Sequence, residues 1–238
     1  MASAVNVYSQ RWFEFFHTNV AEARTIRETD FIARCAPFPE FQKIVDVYCG
    51  GGRHARALAS RGYSLTGIDR DAAAIAHARE RDAGPNYVVA DVRDYQFASE
   101  TFDAAIVMGQ SFGHFDAATN CDLLRRLADS VRKRGRVILD LWNPEFFEAH
   151  QGQRQLDTAR GTVHEDKRVE RDRLFVELRY PDGTKEKFEW ELFTPDRMKT
   201  LAETCELFLS ISCSGFDATS APSPADPRIQ FVLERMPR

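Results

Sequence analysis

The sequence lacks any Cys-x-x-Cys pair: its five cysteines (Cys35, Cys49, Cys121, Cys205 and Cys213) are odd in number and widely spaced. Neither a disulfide framework nor a cysteine-based zinc site is expected, and no metal is assigned. An excess of positive charge is also missing, because 32 Lys and Arg stand against 36 Asp and Glu for a formal net charge of -4. Tight non-specific binding to a phosphate backbone is thereby excluded, and no nucleic-acid partner is expected. No window approaches the roughly 18 uninterrupted apolar residues of a membrane span. The start, MASAVNVYSQRWFEFF, has neither the basic opening nor the apolar run of a signal peptide. These absences point to a soluble, unsecreted protein of a reducing cytoplasm with no membrane partner.

What is present is globular material, 43% hydrophobic and 29% charged. Against a soft prior of roughly 150 residues per domain, 238 residues fit one domain with an elaboration. Residues 1–34 read as two helices, from apolar positions at helical spacing (Tyr8, Trp12, Phe15, Phe16, then Ile26 and 31–33). Pro37 and Pro39 end that segment. Short apolar runs then alternate with amphipathic stretches: IVDVY (44–48), a helix from about Arg53, SLTGID (64–69) and a helix over 71–82. NYVVAD (86–91), FDAAIVM (102–108), a long helix from about Ala117 to Lys133 and RVILDL (136–141) follow. Such alternation predicts βαβ units, hence an α/β fold with a parallel sheet and helices on both faces.

After Asn143-Pro144 the texture changes. Residues 160–192 are dense in balanced charge and hold two alternating runs, LFVELRY and KEKFEWEL, joined by Pro181-Asp182-Gly183-Thr184, which predicts a hairpin. Thr194 and Pro195 suit the N-cap and first position of a helix. LFLSIS (207–212) and IQFVLE (229–234) predict two closing strands. With no repeat and no long linker, residues 1–238 form a single domain. Its parts are an N-terminal helical cap (1–40), a ligand-binding βα core (41–145), an antiparallel β insertion (155–193) and a closing helix and strands (194–238).

The chemical signal is Asp46-Val47-Tyr48-Cys49-Gly50-Gly51-Gly52-Arg53-His54, between the first strand and the first core helix. Glycines there permit a sharp turn and close backbone approach to a ligand near a helix N-terminus. A glycine triplet can equally make a turn that only packs. The second strand, however, ends in Asp69 about 20 residues on, where a nucleoside-binding α/β fold sets an acid against ribose hydroxyls. The competing reading of Asp69 is an ordinary helix N-cap. The third strand also ends in an acid, Asp91, so three strand ends converge on one sheet edge. A nicotinamide site would favour G-x-G-x-x-G, where Ala55 is only a permissive third position, and a Walker site needs Gly-Lys-Ser/Thr, which does not follow the glycines.

On these residues the chain resembles the class I S-adenosylmethionine-dependent methyltransferases. DVYCGGGRH resembles the D-x-x-C-G-x-G-R-H form of their first motif, GIDRD the ribose step, and ADVRD the adenine-side acidic motif. FDAAIVMGQSFGHF is similar to the fourth-strand motif of a small-molecule subgroup. Tyr48 departs from the pattern, standing where many members have the first glycine. The resemblance implies a Rossmann-like fold: a mostly parallel seven-stranded sheet with an antiparallel last strand, a helical cap and a β-hairpin insertion. It also implies S-adenosylmethionine as cofactor and S-adenosylhomocysteine as product. Asp46 would serve the amino end of the cofactor or fix the turn. Cys49, Gly50 and Gly51 would line the methionine portion, Asp69 and Arg70 the ribose, Asp91 and Val92 the adenine, and Met108 and Gly109 the strand end.

The implied reaction moves a methyl group to an N, O or C nucleophile of a small-molecule acceptor. His114 is the candidate base, since its ordinary pKa of about 6.5 suits neutrality, with Tyr8 as a second candidate catalytic residue. A half-buried histidine that orders its loop is the alternative. Two other functions stay open: methylation of RNA or protein, and a non-catalytic nucleoside-binding module. A monomer or homodimer is expected, with the N-terminal helices and the insertion roofing the acceptor site.

Overall fold

The structure, a computed structural model, describes residues 6, 8–16, 20–82 and 84–237. The remaining N-terminal positions, 1–5, 7 and 17–19, assigned above to the cap, lie outside the described residues. Two helices come first, α1 (Gln10–Phe16) and α2 (Glu22–Cys35). Strands and helices then alternate: β1 (Lys43–Val47), α3 (Arg53–Ala59), β2 (Ser64–Asp69), α4 (Ala72–Arg81), β3 (Asn86–Val89), β4 (Phe102–Val107), α5 (Ala117–Ser130) and β5 (Val131–Trp142). A short helix α6 (Pro144–Ala149) leads into β6 (Gly152–Thr158), β7 (Gly161–Glu170), β8 (Arg173–Arg179) and β9 (Lys185–Glu191). Helix α7 (Pro195–Thr204) and strands β10 (Leu207–Ser214) and β11 (Arg228–Arg235) complete the chain.

Seven strands form one sheet in the order β10-β11-β5-β4-β1-β2-β3, with β1 to β5 parallel and β11 antiparallel to both of its neighbours. This is the Rossmann-like α/β architecture expected, with its single reversed last strand. The strands are nearly continuous apolar runs because both faces are covered. Val45, Val47, Ala105, Val107, Val137 and Leu139 face α5 and α7. Their alternates Ile44, Ala104, Ile106 and Ile138 face α2, α3 and α4. Chain direction reverses its march across the sheet at β1, with β2 and β3 on one side and β4 and β5 on the other. The ligand crevice of such a sheet opens at this switch point, beyond the strand C-termini.

Local chemistry sets the helix starts. The Asp71 carboxylate accepts from the amides of Ala73 and Ala74 to cap α4, Asp116 caps α5 through Thr119, and Thr194 caps α7 ahead of Pro195. Helix α5 stops at Ser130, earlier than the expected Lys133, because Val131 is already extended and pairs with Phe102.

A second sheet has four strands in the order β6-β7-β8-β9; three of them lie in the charged segment, where the sequence predicts two, and β6 precedes it. The expected hairpin is β8 and β9, turning at 181–184. β7 escapes detection because two of its inward residues, Glu165 and Lys167, are charged, so no apolar alternation exists to read. β6 is an edge strand, mostly exposed. The inner face of this second sheet buries Val163, Leu174, Val176, Leu178, Phe188 and Trp190 against Phe147, and Tyr8, Trp12, Phe15 and Phe16 pack on the same cluster. The cap is thus divided between two cores, α1 on the insertion and α2 on the main sheet.

Candidate active site

The glycine turn leaves β1 through Tyr48, Gly50 and Gly52, all at positive φ (61°, 51° and 71°). Tyr48 therefore takes the left-handed conformation that a glycine would adopt more easily, at a strain of about 1–3 kcal/mol. Its ring is carried into the cleft, 6.2 Å from the His114 ring, and its buried hydroxyl has no hydrogen-bond partner. Gly52 is required for space, since a Cβ there would meet the Tyr87 ring at 2.8 Å. Gly50 faces open space, with nothing within 4 Å of where a Cβ would lie. The Cys49 thiol is buried and its pKa pushed far up by burial and by Asp46, which leaves it inert.

Asp69 is freed from capping, because Asp71 performs that role two residues later. Its Oδ2 accepts from the Gly50 amide at 2.8 Å and its Oδ1 from the Asp71 amide at 2.9 Å. Each oxygen keeps a further lone pair for a ligand on the cleft side. Arg70 also lines the cleft and donates to the Asn6 carbonyl. Asp91 is held by its own neighbour: Arg93 Nε donates to Oδ1 at 2.9 Å and a terminal nitrogen to Oδ2 at 2.6 Å, and this holds the carboxyl down to about 2. Val92, Met108 and Gly109 complete that wall.

Asp46 lies elsewhere. Its position in β1 points it under α3 and away from the cleft wall, fully buried, with Oδ2 unpartnered. Burial pushes its carboxyl up to about 7, with Arg53 opposing. An acid with a raised folded pKa stabilises the fold in its protonated form, so stability present below about pH 4 is lost as pH rises through 7. Asp46→Asn is expected to raise stability by an amount that grows over this range and reaches roughly 4 kcal/mol at pH 8. Urea denaturation at pH 5 and pH 8 checks this, and a variant less stable than the parent at pH 8 refutes it.

His114 and Tyr8, 106 positions apart in sequence, meet at 2.9 Å between Nε2 and the phenol oxygen. Burial and Arg70 push the imidazole down to about 3, and burial pushes the phenol up, so both are neutral at pH 7. In the Nδ1–H tautomer the Tyr8 hydroxyl donates to Nε2. Asn6 fixes the arrangement: its side-chain amide donates to the carbonyls of His114 and Glu189 at 2.9 Å each, and its Oδ1 accepts from the Glu189 amide at 2.8 Å. The loop bearing His114 is pressed on β9 at Gly113, where a Cβ would lie 2.7 Å from the Glu191 carbonyl oxygen. Trp190 stands 5.5 Å from the His114 ring and Phe188 4.9 Å from the Tyr8 ring. Beyond the pair opens an aromatic chamber that includes Trp12, Trp142 and Phe147.

Beneath the cleft runs a buried ionic network that sequence reasoning does not find. Asp140, at the end of β5 and 0% exposed, accepts from the Gly109 amide (3.0 Å), Gln110 Nε2 (2.7 Å), Gln230 Nε2 (2.8 Å) and Arg228 Nε (3.0 Å). Arg228 also donates to Glu28 at 2.8 Å, and Glu28, likewise 0% exposed, pairs with Arg53 and with His54 Nε2 at 2.8 Å. His54 is pushed down to about 4 by burial, so it is neutral and structural. The network ties α2, α3, β5 and β11 to the Gly109 turn.

The cleft measures about 2340 Å³ and runs from the glycine turn, past Asp69 and Asp91, to the His114–Tyr8 pair and the chamber under the insertion. That exceeds an ordinary ligand pocket of roughly 300–1,000 Å³, leaving room for a nucleoside and a second ligand together. Tyr48, Asn6, Trp142 and Trp190 are cleft residues that the sequence does not single out for binding. Only the Tyr48 departure from the glycine pattern was a signal. Among the described residues no group of three or more His, Cys, Asp or Glu is placed to hold a metal ion, and no helix is long and apolar enough to cross a membrane.

Fold and cleft together define an α/β protein of methyltransferase architecture with a cleft at the switch point of its sheet. Residues 44–135 match the methyltransferase domain family. A dTDP-3-amino-3,6-dideoxy-alpha-D-glucopyranose N,N-dimethyltransferase of Streptomyces fradiae is 32% identical over 111 residues, covering 46% of this chain and 43% of that protein. The chain spans about half the length of the relatives it matches. An S-adenosylmethionine-dependent methyltransferase of Clostridium acetobutylicum superimposes with a TM-score of 0.78 at 13% identity, over 97% of this chain and 98% of that one. An amino pentose methyltransferase of Micromonospora echinaspora, solved with S-adenosylmethionine bound, gives 0.71 at 19% identity over 98% and 100%. At these identities the likeness is one of fold. Residues 44–135 are thus similar to the methyltransferase domain family, and the whole chain shares the fold of solved S-adenosylmethionine-dependent methyltransferases.

Proposed function

We propose that the protein transfers the methyl group of S-adenosylmethionine to a nucleophilic atom of a small-molecule acceptor, leaving S-adenosylhomocysteine. The observation that carries this reading is the His114–Tyr8 pair, set between the nucleoside edge of the cleft and an aromatic chamber. The relatives agree with it, since the Streptomyces fradiae protein is an N,N-dimethyltransferase of a dTDP-linked amino sugar and the Micromonospora echinaspora protein an amino pentose methyltransferase. The residues present fit the cofactor: an open glycine at Gly50, and an Asp69 carboxylate with lone pairs to spare. Asp69 and Arg70 hold the ribose in this reading, Asp91 and Val92 the adenine, and Cys49, Gly50, Gly51, Met108 and Gly109 the methionine end.

When bound, S-adenosylmethionine supplies a methyl carbon already activated by a sulfonium. The acceptor's lone pair would attack that carbon in line with the departing thioether sulfur of S-adenosylhomocysteine, and the protein's contribution is chiefly alignment. A neutral imidazole at about 3 is a weak base, so His114 orients the acceptor by hydrogen bonding, and an amine acceptor sheds its proton to water. Tyr8 holds the ring. The insertion and α1, packed on each other over the chamber, favour a small acceptor over RNA or protein. In this reading the enzyme acts in the cytoplasm, as a monomer or homodimer.

Calorimetric titration with S-adenosylmethionine and S-adenosylhomocysteine, with NAD as control, tests the pocket, and a methyl-transfer screen of small amines, phenols and acids tests turnover. Binding without turnover on any acceptor class supports a non-catalytic module instead. Asp69→Ala is expected to weaken cofactor binding at least tenfold, since both ribose bonds and the tie to Gly50 are lost. Unchanged affinity in the folded variant removes Asp69 from the site.

A further inference from the structure

The far wall of the chamber contains a buried cation that the reaction does not require. Lys167 lies on the inner face of β7, is 8% exposed and lines the cleft. Its ammonium sits 5.0 Å over the Phe147 ring and 2.8 Å from Glu165. An ammonium has three donors, of which Glu165 engages one. Glu165 is also paired with Arg154, at the cleft rim, so this patch of wall carries two cations and one anion. Burying a charge without a compensating purpose is expensive, since several kcal/mol of hydration is lost per ion.

The other unsatisfied polar groups of the chamber share one character. The indole nitrogens of Trp142 and Trp190 are buried without partners, as is the Tyr48 hydroxyl, and all three residues line the cleft. Indole N–H is a donor only, and the phenol is neutral and able to donate. Buried donors without partners call for a ligand that accepts. Register gives the scale: Lys167 pairs with Val176, which pairs with Phe188, and Phe188 lies against Tyr8. Two strand spacings put the Lys167 and Phe188 backbones about 10 Å apart.

From this arrangement we propose that the acceptor is an anion: a flat apolar body that carries a carboxylate or phosphate ester against Lys167 while its nucleophilic atom lies at the His114–Tyr8 end. This rests on the methyl-transfer reading for the second half only. The aromatic walls receive the body, the indole and phenol donors its oxygen atoms, and Lys167 its charge. Arg154 assists from the rim.

All three tryptophans of the chain, Trp12, Trp142 and Trp190, line the cleft, so intrinsic fluorescence reports on it directly. Hydrocinnamate, its neutral amide and phenyl phosphate are titrated at mildly acidic pH into the full-length protein saturated with S-adenosylhomocysteine, and into the protein alone. The carboxylate or the phosphate ester is expected to bind at least tenfold more tightly than the amide, and the stronger of the two identifies the kind of anion. Lys167→Met is expected to erase the preference while S-adenosylhomocysteine affinity, measured calorimetrically, stays within about twofold. Glu165→Gln, which raises the net positive charge of the wall, is expected to tighten anion binding. An amide that binds as well as the acid, a Met variant that keeps the tenfold preference, or a Gln variant with weakened anion binding overturns the proposal. Failure of S-adenosylhomocysteine to bind, with anion preference intact in the protein alone, refutes the methyl-transfer reading and leaves the anion subsite standing.

Discussion

His114→Phe is expected to lower kcat/KM for methyl transfer about a hundredfold with S-adenosylmethionine affinity unchanged within about twofold, because misplacing a reacting atom by about 1 Å has an effect of that order. The phenylalanine keeps the ring packing against Trp190 and Tyr48 but cannot bond to Tyr8 or to an acceptor. His114→Gln keeps an amide able to hydrogen-bond and is expected to retain part of the rate. Tyr8→Phe loses only the bond that orients the ring, an effect of about tenfold. The pH profile separates orientation from base catalysis. With the ring held down to about 3, it is neutral throughout the range above that value, so kcat/KM should show no inflection from His114 between pH 5 and pH 8. An acid limb near pH 6.5 that disappears in His114→Gln establishes the opposite, a titrating general base.

Arg228→Met is expected to be the most destabilising single change. The arginine is the cation shared by Asp140 and Glu28, both fully buried. Removing one partner of a buried ion pair costs about 3–5 kcal/mol, because the remaining charge keeps its desolvation penalty. For a chain of this size that corresponds to a fall in Tm of roughly 6–20 °C. Glu28 supplies a pH signature. His54, Arg53 and Arg228 hold its carboxyl well below the usual range against the opposing effect of burial. Its contribution is present above about pH 4.5 and is lost as pH falls through the folded value, so the gap between parent and variant should narrow in acid. Arg228→Lys should recover little, since one ammonium cannot reproduce a guanidinium bridge to two carboxylates. A Tm change under about 2 °C for Arg228→Met would show that the network is screened and contributes little. The same variant should loosen cofactor binding, because Asp140 also holds the Gly109 amide.

The readable parts of the fold were those whose physics is local. Apolar runs of four to six residues identify β1 to β4, and Thr194 is visible as the cap of α7, whereas α4 is capped by Asp71 and not by Asp69, the residue the sequence offered for that role. The glycine turn, Asp69 and Asp91 follow in the same way from their position after successive strands. β7 was not readable because an inward-facing ion pair removes the alternation by which a strand is recognised, and β6 was not because it is an edge strand, mostly exposed, with no buried apolar face. Asp46 shows the limit from the other side. It belongs to the most informative motif in the chain, yet strand parity turns it beneath α3.

The sequence by itself determined the α/β class, the glycine turn and the acids at the strand ends, because hydrophobic period and glycine's freedom act over a few residues; the reversed last strand came only as what the family resemblance implies. Only the tertiary structure decided that Tyr8 meets His114 from 106 positions away, that Arg228 joins Asp140 to Glu28, and that Lys167, Trp142 and Trp190 share one chamber. Those contacts depend on strand order and on which face each strand presents, and no window along the chain contains both partners.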